Sequence, residues 1–359
     1  MTIQRAYKTE LDLNNVQKTA LLRHAGCARF AYNWGLARVK EQTSKPNAMS
    51  LHKELNALKP TDFPWMYGVS KCAMQEALRD LQRAFVNFFE GRAKFPTFKS
   101  KHDSIRSFRL TGTIKVEDGR VQLPRLGWLR LKERGYIPTD AHILSATISE
   151  QAGRWFVSIL VKEEIAEQEL VNDTLGIDLG IKVLATCSDG TVYENPKALA
   201  KHEEHLKRLQ KKLSRQQKTS KRRKATKTKI ARVWAKIKNI RKDGIQKATT
   251  DIVKTKRCQV VALEDLNTSG MTKNHCLAKS VLDASMRQFR TTLEYKQAWA
   301  GGEIVLVDRW FPSSKTCSDC GVVKDSLKLS ERVFICEDCG SMMDRDLNAA
   351  INLKQYALA

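Results

Sequence analysis

The chain has 359 residues, 42% of them hydrophobic, enough for two or three domains with real cores. Its 63 Lys and Arg outnumber 39 Asp and Glu, giving a formal charge of +24. That excess excludes an ordinary metabolic enzyme and points to a polyanionic partner, nucleic acid before an anionic membrane.

Residues 3 to 12 read as a strand ending at Asn14-Asn15. A long amphipathic helix carrying Leu21, Leu22, Phe30, Tyr32 and Trp34 is expected to about Lys40. Pro60 and Pro64 then break the chain, and a second helix runs from about Ser70 to Phe89, with Ala77, Leu81, Phe85 and Phe89 at helical spacing. In Lys94-Phe95-Pro96-Thr97-Phe98-Lys99-Ser100-Lys101, bases alternate with aromatics, a pattern compatible with a phosphate-contacting loop in which Lys99 and Lys101 are candidates. From Phe108 to Val161 short alternating segments with turn residues predict a small β-barrel-like or sandwich module. The acidic stretch Glu163 to Glu169 reads as a linker, so the first domain is placed at residues 1–172, with a helical insertion at about 14–104.

The second half, 173–359, has a different pattern. Leu175-Gly176-Ile177-Asp178-Leu179 is an apolar strand with one carboxylate in it. Val183 to Ser188 is a second strand, and Asp189-Gly190 turns into a third. A helical region spans 196–256, Cys258 to Leu266 is a buried strand ending in acids, one helix is expected from Val281 to Ala300, and Glu303 to Asp308 is a further strand before a final helix. Three antiparallel strands, then helices alternating with later parallel strands, fit an RNase H-like sheet.

Asp178 stands between Ile177 and Leu179, where a lone buried carboxylate costs several kcal/mol without a partner. A divalent cation is the natural partner. Glu264 ends the second apolar strand, and Asp346 begins the last helix. Three converging oxygen ligands suit Mg²⁺, which keeps waters and accepts substrate phosphate as a further ligand. Asp265, Asp308 and Asp344 are neighbouring acids, read as supporting or surface groups. Cys317-x-x-Cys320 and Cys336-x-x-Cys339 are two elbows of the kind that present four thiolates to one zinc ion, each followed by a glycine, in a ribbon at 311–342. Four thiolates leave no open position, so this zinc is structural. Between Asn195 and Ala248 lie 20 Lys or Arg against three acids, +17 of the chain's +24. Two apolar stripes through it predict an antiparallel helical hairpin, whose acid-free tip offers Lys218, Lys221, Arg222, Arg223 and Lys224 to phosphates.

No apolar run reaches the ~18 residues of a membrane span, and MTIQRAYKTELDL lacks a signal peptide's apolar core. A cytoplasmic protein is expected, its nine cysteines serving as metal ligands or free thiols rather than disulfides.

The motifs GIDLGIKVLATCSDG, VALEDLN, the paired C-x-x-C and DRDLNAAINL resemble the three RuvC motifs and zinc finger of the TnpB family, transposon-encoded RNA-guided DNA nucleases related to type V CRISPR effectors. The resemblance is strong over 173–359 and looser before it. It implies a RuvC domain with Asp178, Glu264 and Asp346 as catalytic triad, Mg²⁺ as catalytic cofactor and Zn²⁺ as structural one. It also implies a wedge-like barrel with a recognition-like helical insertion, a guide RNA from the transposon end, a double-stranded DNA target beside a short motif, and a monomer within the ribonucleoprotein. A compact CRISPR-associated effector, a guide-dependent regulator and a transposase are the alternatives.

Overall fold

The structure is a computed structural model that describes residues 1–101, 106–166, 168–328 and 330–359. Glu167 of the acidic stretch lies outside these residues. The chain folds as two compact units, Thr2–Glu164 and Ile165–Ala359, with Met1 joined to the second. The division precedes residue 172 because Val171 to Asp173 already belong to a strand of the second unit.

The first unit opens with strand β1 (Thr2–Asp12) and helix α1 (Asn15–Lys40). Asn14 caps α1 by accepting from Gln17 N at 2.8 Å, while the Gln17 side chain returns a bond to Asn14 N. This capping box starts the helix where Asn14-Asn15 ended the strand pattern. Helix α2 (Ala48–Leu58) was not expected. Asn47 caps it, and Leu51 and Leu55, one turn apart, are both fully buried. Helix α3 (Lys71–Phe89) buries Ala77, Leu81 and Phe85 as expected, but Phe89 is 70% exposed. Strands β2 (Ser107–Leu110), β3 (Lys115–Glu117), β4 (Arg120–Leu123), β5 (Gly127–Leu131), β6 (His142–Gln151) and β7 (Arg154–Glu164) join β1 in an antiparallel sheet of order β2-β6-β7-β1-β5-β4-β3. β1 pairs with β7 along residues 2–10 and with β5 only at Leu11 and Asp12, so one strand serves both halves of the sheet.

The second unit is built on strands β8 (Val171–Leu179), β9 (Val183–Cys187) and β10 (Val192–Glu194), then helices α4 (Ala198–Ser214) and α5 (Lys221–Asp251) and strand β11 (Cys258–Glu264). The short α6 (Thr268–Met271), α7 (His275–Ala284), α8 (Met286–Ala300), β12 (Glu303–Val307), the ribbon strands β13 (Val333–Ile335) and β14 (Met342–Asp344), and α9 (Arg345–Leu358) complete it. The sheet order is β10-β9-β8-β11-β12, antiparallel in its first half and parallel where β11 meets β8 and β12. The single helix expected over Val281 to Ala300 is instead two, broken at Ser285 with φ 56°. Ending α7 there leaves its buried Asp283 facing α4, whose Leu199 N donates to it at 2.9 Å, and Arg241 of α5, whose Nε donates at 2.8 Å. Among the described residues no helix is long and apolar enough to cross a membrane.

Alternation along the central strands sorts the two faces. Leu175, Ile177, Val261 and Leu263 enter one core with Ile245, Phe289 and Leu293. Ala262 lies on the other face with Leu353 of α9 and Val307. Gly176 shares that second face, and there α9 comes close enough that a Cβ on Gly176 would meet Ala350 O at 1.9 Å and Lys354 N at 2.6 Å. Both obstacles are backbone atoms of a packed helix and cannot swing aside. Gly176→Ala is therefore expected to destabilise the second unit by at least the ~1–3 kcal/mol of ordinary overpacking. A variant that unfolds thermally at the wild-type midpoint would show that α9 is not seated there.

Candidate functional site

The parallel register sets Ala262 beside Gly176 and Leu263 beside Ile177. One residue further, Asp178 and Glu264 stand at the same level of adjacent strands, on the face that carries α9. The third carboxylate arrives from the helix itself. Asp344 caps α9, accepting from Asp346 N at 2.9 Å and Leu347 N at 3.1 Å, which fixes Asp346 in the first turn. The close approach over Gly176 holds that turn against the sheet.

Asp178 feels the other two acids. Burial, then the charges of Asp346 and Glu264, push the Asp178 carboxyl up to about 7, with Arg345 opposing. Burial also raises Glu264. Arg345 pairs with Asp346 at 3.4 Å. The carboxylates are coupled through the field rather than in contact: among the described residues, the group whose ligand atoms all lie within 4.8 Å of one another is the four cysteines. Half-buried carboxylates on neighbouring elements, with only the long Arg345 contact beside them, are a donor set for a hard cation. The adjacent acids have other work. Asp265 is bracketed by Arg290 (2.6 Å) and Arg309 (2.5 Å), whose hydrogen bonds hold its carboxyl below its ordinary range. Asp308 accepts from Trp310 N at 2.7 Å.

Cys317, Cys320, Cys336 and Cys339 all carry free thiols, with Sγ–Sγ distances of 3.6 Å for Cys317–Cys339 and for Cys320–Cys336. These are too long for a disulfide (~2.05 Å) and close to the ~3.8 Å edge of a tetrahedron with zinc–sulfur bonds of ~2.3 Å. Gly321 (φ 78°) and Gly340 (φ 75°) turn each elbow through the left-handed region. The N–H groups of Cys339 and Asp338 point at Cys336 and lower its thiol, which favours the thiolate a metal needs, while Cys320 and Cys339 in the same cluster are raised. The donor set and spacing thus fit a zinc site.

What the sequence did not reveal is how this ribbon holds α9. The fully buried Asn348 accepts from Ser318 N at 3.0 Å and donates to Thr316 O at 2.7 Å. Asn352, one turn on, donates to Ser313 O and Thr316 O, both at 2.7 Å, and Gln355 donates to Ser318 O at 2.8 Å. The face of α9 that touches the ribbon is thus polar, and Asn348-x-x-x-Asn352 was its only sequence signal.

The basic residues divide. α4 and α5 pack through Leu206, Ile237, Leu199, Ile230, Val233 and Ile240, forming the expected hairpin. At its tip Lys218, Lys221, Arg222 and Lys224 are exposed. Arg223 is spent on the fold: its guanidinium donates to Leu213 O at 2.5 Å and Gln216 O at 2.9 Å, capping α4. In the first unit Lys99 is half-buried with Nζ 3.8 Å from the Tyr32 ring centroid, its backbone clamped by Asn33, while Lys101 is exposed.

Residues 157–275 match the family model described as "Probable transposase" (OrfB_IS605), and residues 287–353 match a Cas12f1-like TNB domain. Residues 1–46 match a helix-turn-helix domain, although here they form β1 and the long α1. A Streptomyces pristinaespiralis protein named "Putative RNA-guided DNA endonuclease" is 37% identical over 365 residues, 99% of this chain and 90% of its own length. The Escherichia coli K12 protein of the same name, InsQ, is 32% identical over 97% of this chain and 91% of its own. Among solved structures, a Cas12f1–sgRNA–target DNA complex shares the fold at a TM-score of 0.62 and 15% identity, over 98% of this chain and 99% of that one. The mini-RNA-guided endonuclease CRISPR-Cas_phi3 does so at 0.56 and 8%, over 99% and 92%.

Two outcomes follow from this geometry. A carboxyl held near 7 rather than its ordinary 3.8 costs the metal-free fold stability progressively as pH rises from about 4 to about 7. Asp178→Asn is expected to unfold at a higher temperature than wild type at pH 8 in chelator, with the gain shrinking towards pH 4; equal midpoints at pH 8 would refute the raised Asp178 carboxyl. Asn348→Ala leaves Ser318 N buried without its partner and Thr316 O with Asn352 alone, and a loss of ~1–3 kcal/mol is expected by denaturant unfolding.

Proposed function

The chain belongs to the TnpB family, and on that premise we propose that it is an RNA-guided DNA endonuclease that hydrolyses phosphodiester bonds at Asp178, Glu264 and Asp346. The observation that carries the site is the delivery of Asp178 and Glu264 by two adjacent parallel strands and of Asp346 by the first turn of α9, with the charges of Asp346 and Glu264 both acting on Asp178. On this reading the second unit is an RNase H-like RuvC domain with its zinc ribbon, and the first is a wedge-like barrel carrying α1–α3 as a recognition-like insertion. A guide RNA from the transposon end and double-stranded target DNA are the partners, and one chain serves each ribonucleoprotein. The type V likeness, at 15% identity, concerns the fold alone.

The residues present fit Mg²⁺: all three donors are oxygens, and none is consumed by a strong ion pair, the Arg345–Asp346 contact being long at 3.4 Å. When bound, a pair of such ions supplies an activated water and stabilises the leaving 3′-oxygen. The chain's own contribution is positioning. Asp178 must shed its proton to ligate, so occupancy of the site favours pH above about 7 in the absence of other charge. Glu264 is fixed by the parallel register, and Asp346 by the Asp344 cap behind it. No protein nucleophile is required, since charge neutralisation and alignment carry phosphate transfer. The exposed tip cations Lys218, Lys221, Arg222 and Lys224, with Lys101 and Lys99 in the first unit, are the proposed phosphate contacts, Arg223 serving as the tip's scaffold.

The test is to purify the protein with its RNA, sequence that RNA, and offer a plasmid carrying the complementary target. Cleavage dependent on Mg²⁺ and reduced at least ~1,000-fold by Asp178→Ala is expected; co-purification of no discrete RNA, or full cleavage by Asp178→Ala, would refute the proposal. Replacing Lys221, Arg222 and Lys224 by Gln is expected to weaken RNA binding and flatten its dependence on salt by about three counterions. An unchanged slope across a salt titration would remove the tip from the binding surface.

A further inference from the structure

Beside Glu264 opens a cleft of about 510 Å³ lined by Leu179, Glu264, Asn267, Arg287, Arg290 and Arg309 among others. Of the three carboxylates Glu264 lines it, while Leu179, next to Asp178 but on the other face of β8, lines it from the side of α8, so the cleft adjoins the acids at Glu264 and extends along α8. Its basic wall is organised rather than merely charged. One carboxylate, Asp265, accepts Arg290 NH1 on Oδ1 at 2.6 Å and Arg309 NH2 on Oδ2 at 2.5 Å, holding two guanidiniums side by side although they come from α8 and from the loop after β12. Arg290 is steadied again by Glu294, which accepts from its Nε at 2.8 Å. These contacts use Arg290 Nε and NH1 and Arg309 NH2, leaving Arg290 NH2 and Arg309 Nε and NH1 for a ligand. Arg287, one turn before Arg290 on α8, is exposed and makes no ion pair among the described residues.

Two like-charged groups are costly to hold together unless their joint position is used. A shared carboxylate lowers that cost and fixes the fork geometry that matches phosphate oxygens. Resting on the nuclease reading above, we propose that Arg290 and Arg309, aligned by Asp265 and assisted by Arg287, bind one backbone phosphate of the DNA strand next to the scissile linkage, and so set which phosphodiester reaches Asp178, Glu264 and Asp346. Arg290 and Arg309 touch the substrate; Asp265 is a positioning residue acting through them. The contact reads charge and shape, not base sequence.

Single-stranded DNA in which each phosphate in turn is replaced by a neutral methylphosphonate tests this in the full chain with the RNA it carries, made cleavage-deficient by Asp178→Ala. One linkage is expected at which neutralisation weakens binding about tenfold, with that penalty vanishing in Arg290→Gln/Arg309→Gln. Arg287→Gln breaks no ion pair, so it keeps the fold and is expected to show the same coupling in smaller measure at that linkage or its neighbour. Asp265→Asn is expected to blunt the coupling, and Asp265→Asn added to Arg290→Gln/Arg309→Gln to lose nothing further. Penalties that multiply independently at every linkage would overturn the proposal, and the arginines would then be only a strut between α8 and β12. The two readings separate cleanly: coupling in a protein that cuts no DNA with any divalent metal removes the nuclease and keeps the phosphate site, whereas guided cutting with independent penalties does the reverse.

Discussion

The backbone of α9 lies on the backbone of β8 at Gly176, and the rest of the second unit is arranged around that contact. Alternation fixes the consequence: the residue two beyond Gly176 on the same face is Asp178, and the residue two beyond Ala262 is Glu264. Small side chains beneath the helix let it settle, and the acids stand just past its N-terminal end. Any side chain at Gly176 would lift α9 by more than an ångström, and Asp346 with it.

That placement is unfavourable by itself. Burial, and then the charges of Asp346 and Glu264, raise the Asp178 carboxyl, so the ionised group is costly to keep there. The offsets lie outside the site. Leu353 packs with Ala262 and Val307, Asp344 caps the helix, and Asn348, Asn352 and Gln355 tie it to the ribbon's backbone. The four-cysteine cluster is thus coupled to the acids through hydrogen bonds rather than through chemistry. A zinc ion that fixes the ribbon also fixes the surface against which α9 is clamped, which explains why a metal knuckle directly precedes the third acid in the chain.

Much of this was legible in the residues. Asp178 was visible because a charge inside LGIDLG contradicts a buried strand, and the cysteines because their spacing admits few other readings. The hairpin followed from two stripes at threes and fours. Other features were hidden for physical reasons. Helix α2 has only two buried leucines, and it is framed by prolines that read as a long loop. The break at Ser285 is a non-glycine left-handed residue inside a continuous apolar pattern, made stable by the tertiary bonds of Asp283. Arg223 looked like its basic neighbours because a helix-capping arginine and a solvated one are the same letter. Gly176 looked like strand punctuation, and only the packed helix reveals that it marks a close approach. The pairing of Asp265 with two arginines joins residues 25 and 44 positions away, beyond the reach of any local pattern.

Anomalous diffraction from crystals of the protein grown with Mn²⁺ tests the gathering of these acids most directly. Manganese density ligated by Asp178, Glu264 and Asp346 together, with Ala350 O still seated over Gly176, is the expected result. Manganese bound elsewhere, or an Asp346 carboxylate turned out to solvent while the other two hold metal, would contradict it.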